Sequence, residues 1–325
     1  MRIAVTGITG SFGSAFARRV LTMDGFGIDR FVGISRDELK QSEMAEQYKD
    51  AHTFKLFLGD VRDEMRMREA FHGIDVVVHA AALKRVDACA YNPREMMKTN
   101  VDGTANVVSA AAHEGVARVL VISSDKACEP LNIYGASKLM AEQIAVSMNA
   151  SVYPRGTRVS ALRYGNVIGS RGSVAHIWRA QHALGQPLSI THRDMTRFVL
   201  TLDQAVGYAM KAIQQMEGGE IFVPILPSAK LPDFAAAIVG GTPKFNVVGL
   251  RDGGEKFAEA LLTVEEPSRT VKRNGFYVVT PSPMSWRPGG WKGDKVDPKL
   301  RYISDGSHGW ATPQELRRLV KEAGL

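Results

Sequence analysis

Short apolar runs rich in β-branched residues alternate with helical patterns through the first half of the chain. The runs fall at residues 2–6, 31–34, 53–58, 75–79, 119–123 and 159–163. Between the first two, Phe12, Phe16, Val20 and Leu21 recur at helical spacing, and between the last two Met140, Ile144 and Met148 do the same. This alternation predicts βαβ units and a doubly wound parallel sheet of the α/β class. Val206, Met210 and Ile213 mark a further helix, and residues 220–224 are expected to return to the sheet as a seventh strand. Beyond residue 225 prolines become frequent and clean periodicity fades, which predicts a smaller, loop-rich C-terminal lobe. Residues 281–298 combine four prolines with several Gly, Trp and Lys, too long for a plain connector and expected to be a mobile or interface segment. A last helix is expected at 313–323, capped by Thr312 and burying Leu316, Leu319, Val320 and Ala323.

Composition narrows the class. A chain of 325 residues with 45% hydrophobic and 23% charged residues is a globular protein of about two domains, not a disordered, coiled-coil or collagen-like one. The start, MRIAVTGITGSFG, has no long apolar core, and no run reaches the ~18 apolar residues of a membrane span, so a cytoplasmic protein is expected. Two cysteines, Cys89 and Cys128, make no disulfide scaffold, and no Cys/His group has zinc-ligand spacing, so no metal is expected. A net charge of +7 suits an anionic partner of any size. The 31 glycines suggest tight turns around a ligand.

The chemistry begins at TGITGSFG. Gly7, Gly10 and Gly13 directly follow the first strand and open the first helix, and with Thr9, Ser11 and Phe12 they would aim backbone N–H groups and the helix dipole at a pyrophosphate. An ordinary glycine-rich turn has no need of that placement. The second strand ends in Ile34-Ser35-Arg36, where an acid would bind the ribose of NAD and an Arg the 2′-phosphate of NADP. Ser35 and Arg36 favour NADP; Asp37 and Glu38, just behind, keep NAD open. Asp60 and Val61 after strand three are candidates for contacting the adenine, and Ala80, Ala81 and Ala82 after strand four are small enough for a cofactor to lie against the backbone. Residues 1–166, completed by 199–224, would form the NADP-binding domain, and 167–198 with 225–325 the substrate-binding lobe.

Tyr134 and Lys138, at i and i+4 in YGASK, share one helix face. A cation there is expected to lower the phenol pKa and let Tyr134 act as a base toward a hydroxyl. The helix follows strand five, whose carboxyl end carries Ser123, Ser124, Asp125 and Lys126, where ligands bind in open α/β sheets. Nearby Cys128 reads as a small buried residue.

With TGITGSFG, GDVRD, VVVHAAALKRVD, KTNVDGTANV, SSDKACEPLNIYGASKLMAE, RYGNVIGSRGSV, DMTRF and RDGGEKFAE in hand, the chain resembles an extended short-chain dehydrogenase/reductase of Rossmann-like fold. More narrowly it resembles the inverting UDP-N-acetylglucosamine 4,6-dehydratases. The resemblance implies that Tyr134 takes the C4 hydroxyl proton while hydride passes from C4 to NADP+. Lys126, with a lowered pKa, would remove the C5 proton, and a protonated Asp125 would assist loss of the C6 hydroxyl. Hydride would then return to C6, with inversion at C5. Ser124 would bind the C4 oxygen, and Lys138 the nicotinamide ribose. Asn100 and Lys84 would lie at the cofactor, Lys84 also near the sugar, and Asn166, Arg171, Arg197, Arg251 and Glu255 at the UDP-sugar.

A 4-epimerase or a 5,6-dehydratase on the same scaffold, and a nucleotide-binding protein without turnover, are the alternatives. One departure stands out: where the family often has His-Glu, this chain has Ala258-Glu259. A homo-oligomer is expected from the family. Arg62, Arg66 and Arg68 alternate with Glu64 and Glu69, the pattern of a solvated helix face, so no nucleic acid is expected as partner. His79 is expected to be a buried, hydrogen-bonded residue.

Overall fold

A computed structural model describes residues 1–22, 27–250, 254–282 and 291–325. Its first part runs β1 (Arg2–Thr6), α1 (Ser11–Thr22), β2 (Arg30–Ser35), α2 (Glu38–Gln47), β3 (Phe54–Leu58), α3 (Glu64–Phe71) and β4 (Val76–His79). It continues with α4 (Val86–Tyr91), α5 (Pro93–Met96), α6 (Gly103–His113), β5 (Arg118–Ile122), α7 (Ile133–Ser147), α8 (Asn149–Val152) and β6 (Arg158–Leu162). These strands pair in parallel in the order β3-β2-β1-β4-β5-β6. The chain therefore reverses direction along the sheet at β1, and a crevice opens where β1 and β4 end, the place where such sheets bind ligands.

Strands covered on both faces must be apolar throughout. Alternate β1 residues serve opposite cores: Ile3 and Val5 lie with Phe16 of α1, and Ala4 lies with Phe71 of α3 and Val107 of α6. Each large aliphatic side chain buried in this way stabilises the fold by roughly 1.5–3 kcal/mol.

The second part contains β7 (Asn166–Val167), α9 (Val174–Ala183), β8 (Leu188–Ile190), β9 (Thr196–Leu200), α10 (Leu202–Gln215), β10 (Ile221–Pro224), β11 (Ser228–Lys230) and α11 (Leu231–Val239). It ends with β12 (Phe245–Val247), β13 (Thr270–Arg273), β14 (Phe276–Val279), β15 (Asp294–Lys295) and α12 (Pro313–Glu322). As expected, β10 joins β6 in parallel. The assignment of all of 225–325 to the lobe needs correction: β14, β13 and β15 continue the main sheet beyond β10, antiparallel. Strands of two to four residues are too short to show a period in sequence. A separate core gathers Trp178, Leu188, Phe234, Leu316 and Val320 from α9, β8, α11 and α12. Thr312 and Glu315 form the capping box that starts α12. Of the segment 281–298, residues 283–290 lie outside the described residues, and Asp294–Lys295 pair with β13.

Helix α7 presents a different face from the one its methionines suggested. Met140 is exposed, while Lys138, Ala141, Glu142 and Ala145 are buried. Small residues let the helix approach the sheet closely, which pushes the bulkier side chains outward. Buried Glu142 is matched by Arg163, just after β6, whose guanidinium also meets Glu266. Nε and Nη2 donate to Glu142 at 3.0 and 2.5 Å, and Nη2 and Nη1 donate to Glu266 at 2.8 and 2.7 Å. Nη1 also donates to the Leu261 carbonyl at 2.9 Å. This cluster ties the helix that carries Tyr134 to the 261–266 segment. His79 is buried as expected, between the hydroxyls of Thr6 at 2.7 Å and Thr104 at 3.1 Å.

Two outcomes follow. Arg163→Ala leaves two buried carboxylates unpaired and lowers stability by about 3–5 kcal/mol, read from denaturant midpoints; a loss within the range of a surface substitution contradicts the cluster's role. Burial, with a smaller contribution from Lys138, depresses His79 from 6.5 to about 3. Its neutral form then supports the fold above pH 6.5, and that support is lost as pH falls from 6.5 toward 3. In NMR spectra the His79 ring stays neutral at pH 5, whereas a ring titrating near 6.5 contradicts this.

Candidate active site

The turn after β1 is built by close approach. Gly7 has φ +70°, and a Cβ there would lie 2.8 Å from the Ala81 backbone; a Cβ on Gly13 would lie 2.4 Å from the Gly7 carbonyl. Both positions exclude a side chain, which seats α1 directly behind the turn. Within 4 Å a Cβ on Gly10 would meet only the Gly7 carbonyl, at 3.0 Å, so that side is open to a ligand. The first amides of α1, at Ser11, Phe12 and Gly13, have no carbonyl one turn earlier to bond, and they line this opening with the positive end of the helix dipole. The Phe12 side chain itself is buried.

Arg171, expected on the substrate, belongs to this turn: its guanidinium donates to the Thr9 carbonyl and its N–H to Ser11 Oγ at 3.1 Å. Lys84 holds the same loop, donating to the Arg171 carbonyl at 3.0 Å. Asn100 exchanges hydrogen bonds with the Leu83 backbone at 2.8 and 3.0 Å and donates to Ser137 Oγ at 3.0 Å, so it fixes the loop after β4 instead of reaching into the cavity. A cavity of about 380 Å³ lies alongside, lined by Arg36, Ala82, Lys84, Ala88, Cys89 and Glu95, among others.

At the end of β2, Ser35 Oγ accepts from Gln41 at 3.0 Å, and Arg36 meets Asp60 at 3.3 Å. Asp60 also pairs with Arg62 at 2.7 Å, and the Val61 side chain is buried in the core beside Gly103. Asp37 caps α2 through the Lys40 N–H and pairs with the Lys40 ammonium.

The residues expected to be catalytic gather where β5 ends. The Ser123 N–H donates to Leu162 and the Asp125 N–H to Tyr164, at 2.8 and 2.9 Å, before a single 3₁₀ turn, Asp125–Ala127. Ser124 Oγ donates to Asp125 at 2.6 Å, and Lys126 Nζ meets Asp125 at 2.8 Å and Glu259 at 2.6 Å. Asp125 and Glu259 are buried, and the Lys126 side chain keeps 31% of its surface exposed. Ser123 Oγ is buried without a hydrogen-bond partner among the described residues, an atom that a bound polar ring can satisfy. Tyr134 stands in the first turn of α7, where Asn132 caps the Gly135 N–H.

Electrostatics correct three expectations. For Lys126, burial by itself favours the neutral amine, but Asp125 and Glu259 outweigh it and hold the ammonium above its ordinary value. For Asp125, burial favours the acid, and Lys126 with Ser124 outweighs it, so the carboxyl is held below its usual range. The resident form is thus an ion pair, the reverse of the amine and acid implied by the family resemblance. Tyr134 is not lowered either. Burial and then Asp125 push it up to about 12, against Lys126 and a hydrogen bond from Ser124. Lys138 Nζ donates instead to the Ile122 carbonyl at 2.7 Å, and burial takes it down to about 8. Burial also takes the Cys128 thiol up to about 12, in keeping with a structural cysteine.

On the opposite wall, Asn166 is exposed at the start of β7. Arg197, expected on a diphosphate, is committed to the protein: Nη1 donates to the Thr196 and Lys256 carbonyls at 2.7 and 3.0 Å, with Glu255 at 4.0 Å and Glu259 at 3.7 Å. Arg251 lies outside the described residues. Glu259, Lys256 and Ser304 are residues that motif reading missed. Glu259 meets Lys126 across 133 positions, a separation that no local spacing reveals. Its visible signal was the GEKFAE string itself. Among the described residues no helix is long and apolar enough to cross a membrane, and no His/Cys/Asp/Glu group is placed to hold a metal ion.

Comparison with known proteins agrees with this geometry. Residues 3–281 match the family described as polysaccharide biosynthesis protein. A protein of Campylobacter jejuni subsp. jejuni serotype O:2 named UDP-N-acetylglucosamine 4,6-dehydratase (inverting) is 37% identical over 327 residues, covering 98% of this chain and 96% of its own. A UDP-glucose 4-epimerase of Rickettsia canadensis is 38% identical over 279 residues, 85% of this chain and 81% of its own. The X-ray structure of Pen from Bacillus thuringiensis superposes with a TM-score of 0.88 at 32% identity, over 99% of this chain and 98% of that one. The chain therefore belongs to the polysaccharide biosynthesis protein family, within the extended short-chain dehydrogenases/reductases.

Proposed function

We propose that the protein is a hydro-lyase that converts UDP-N-acetylglucosamine to a UDP-4-keto-6-deoxy sugar with inversion at C5, using NADP. The observation that carries this reading is the Lys126–Asp125 contact of 2.8 Å beside Tyr134. One proton moved across it turns an ion pair into an amine and a carboxylic acid, the base and acid that an elimination across C5–C6 requires. An epimerase has no use for that pair, since it needs only Tyr134 and a ketone free to rotate. The relative named UDP-N-acetylglucosamine 4,6-dehydratase (inverting) supports the reading over the full chain.

The open glycine turn, the α1 amides and the orphaned Ser123 hydroxyl fit a nicotinamide dinucleotide, with Lys138 reaching its ribose. Ser35 and Arg36 favour the 2′-phosphate of NADP, because Asp37, the nearest acid, is occupied by the α2 cap and Lys40. When bound, this cofactor supplies reversible oxidation at C4 and reduction at C6. Tyr134, as the phenolate left once its own proton has gone to solvent, accepts the C4 hydroxyl proton, and Ser124 orients that oxygen. With C4 a ketone, C5–H is acidic. The Lys126 amine removes that proton, and the Asp125 acid protonates the departing C6 hydroxyl, which leaves as water. Return of a proton to the opposite face of C5 inverts that centre. Asn166, Arg251 and Glu255 remain the candidates for the UDP-sugar.

Turnover of UDP-N-acetylglucosamine in D2O without added reductant, followed by NMR and mass spectrometry, tests the reading. The expected product has lost water and carries one deuterium at an inverted C5. A UDP-sugar of unchanged mass would establish an epimerase instead, and deuterium at a retained C5 would rule out inversion.

A further inference from the structure

The assigned chemistry uses Asp125 and leaves the second carboxylate on Lys126 without a role. Glu259 is the nearer of the two, at 2.6 Å against 2.8 Å, and its side chain is 2% exposed. It is firmly placed. Its N–H donates to Ser304 Oγ at 2.9 Å, the Ser304 N–H donates back to its carbonyl at 2.9 Å, and Ser304 Oγ shares a hydrogen bond with Thr196 at 2.9 Å. Its second oxygen, Oε2, is buried with no hydrogen-bond partner among the described residues and has Lys256 Nζ at 3.9 Å. A buried carboxylate costs free energy unless it is paired. Glu259 therefore persists here through charge, with Lys126, Arg197 and Lys256 all within 4 Å.

We infer that Glu259 is a positioning residue for the proposed elimination: it aims the Lys126 nitrogen into the crevice and resists transfer of the Lys126 proton to Asp125. The inference rests on the reading in which Lys126 removes the C5 proton. The charged and titratable groups facing Lys126 are Asp125 on its own turn, Glu259 with Glu255 and Lys256 behind it from the 254–259 segment, Arg197 from β9 and Tyr134 from α7. Arg197 and Lys256 oppose the ammonium, and the two carboxylates favour it. Neutralising Glu259 shifts that balance toward the amine. Shape is kept in Glu259→Gln and charge is kept in Glu259→Asp, so the pair separates electrostatics from packing.

In the wild-type holoenzyme the rate of C5–H removal rises with pH as Lys126 loses its proton. An opposite charge at this distance holds such a group by about 1–3 pK units. In Glu259→Gln the rising limb therefore moves to lower pH by one unit or more, about tenfold or more in the fraction of amine below the limb. In Glu259→Asp, which withdraws the carboxylate by one methylene, the limb moves the same way by a smaller step, and this variant serves if the Gln protein does not fold. A residue of purely structural role would lower the rate equally at every pH and leave the limb in place, which would overturn the inference. The Lys126 ¹³Cε resonance, assigned by comparison with Lys126→Arg, gives a readout independent of turnover. If no UDP-sugar is dehydrated while this resonance still titrates at lower pH in Glu259→Gln, the functional reading falls and the hold of Glu259 on Lys126 stands. If dehydration proceeds and both limb and resonance are unmoved, the inference about Glu259 falls alone.

Discussion

A lysine ammonium set between two buried carboxylates is the constraint around which this site is built. Removing three charged groups from water is costly, and their mutual attraction offsets that cost only if the geometry is close and the remaining polar atoms are satisfied. The fold supplies the close geometry with segments far apart in sequence, and meets Glu259 Oε2 with the charge of Lys256 instead of a hydrogen bond. Asp125 comes from the end of β5, and Glu259 comes from a segment pinned by Ser304 and by Arg197. The Arg163 cluster with Glu142 and Glu266 performs a similar task in the core, joining the helix of Tyr134 to the segment that follows Glu259. Two ionic clusters thus keep the Tyr134 helix, the β5 turn and the 254–266 segment in register, so that in the proposed chemistry a single proton shift arms the acid and the base.

The scaffold was readable in the sequence because parallel strands covered on both faces leave unbroken apolar runs. Residues 2–6 and the capped helix after Thr312 appear where the pattern placed them, and the glycine turn lies at the switch point in the sheet. Protonation states were not readable. YGASK shows that Tyr134 and Lys138 share a face, but it does not show that Lys138 is turned toward the Ile122 carbonyl or that Asp125 raises the phenol. Arginines misled for a related reason. A guanidinium suited to phosphate is equally suited to backbone carbonyls, and Arg197 and Arg171 are both spent on the protein's own chain. The β13–β15 extension was invisible because its strands are very short, and Met140 misplaced the buried face of α7 because small residues, not large ones, face the sheet.

The net charge of +7 takes on a local meaning in this arrangement. Arg62, Arg66 and Arg68 are matched by neighbouring acids on or beside α3, and the Arg171 and Lys84 contacts hold the loop after β7 against the glycine turn. These positive groups are spent singly on neighbouring acids and backbone carbonyls. That distribution suits small phosphorylated ligands, which need a few directed donors, more than a long polyanion, which needs an extended surface.

The central claim is that Lys126 removes the C5 proton after C4 has been oxidised. The sugar recovered from Lys126→Gln holoenzyme after a single turnover, analysed by mass spectrometry, tests it most directly. The expected sugar is a 4-ketone that still holds its C6 oxygen, because oxidation at C4 needs Tyr134 and elimination needs the missing amine. A dehydrated sugar formed at the wild-type rate would contradict it.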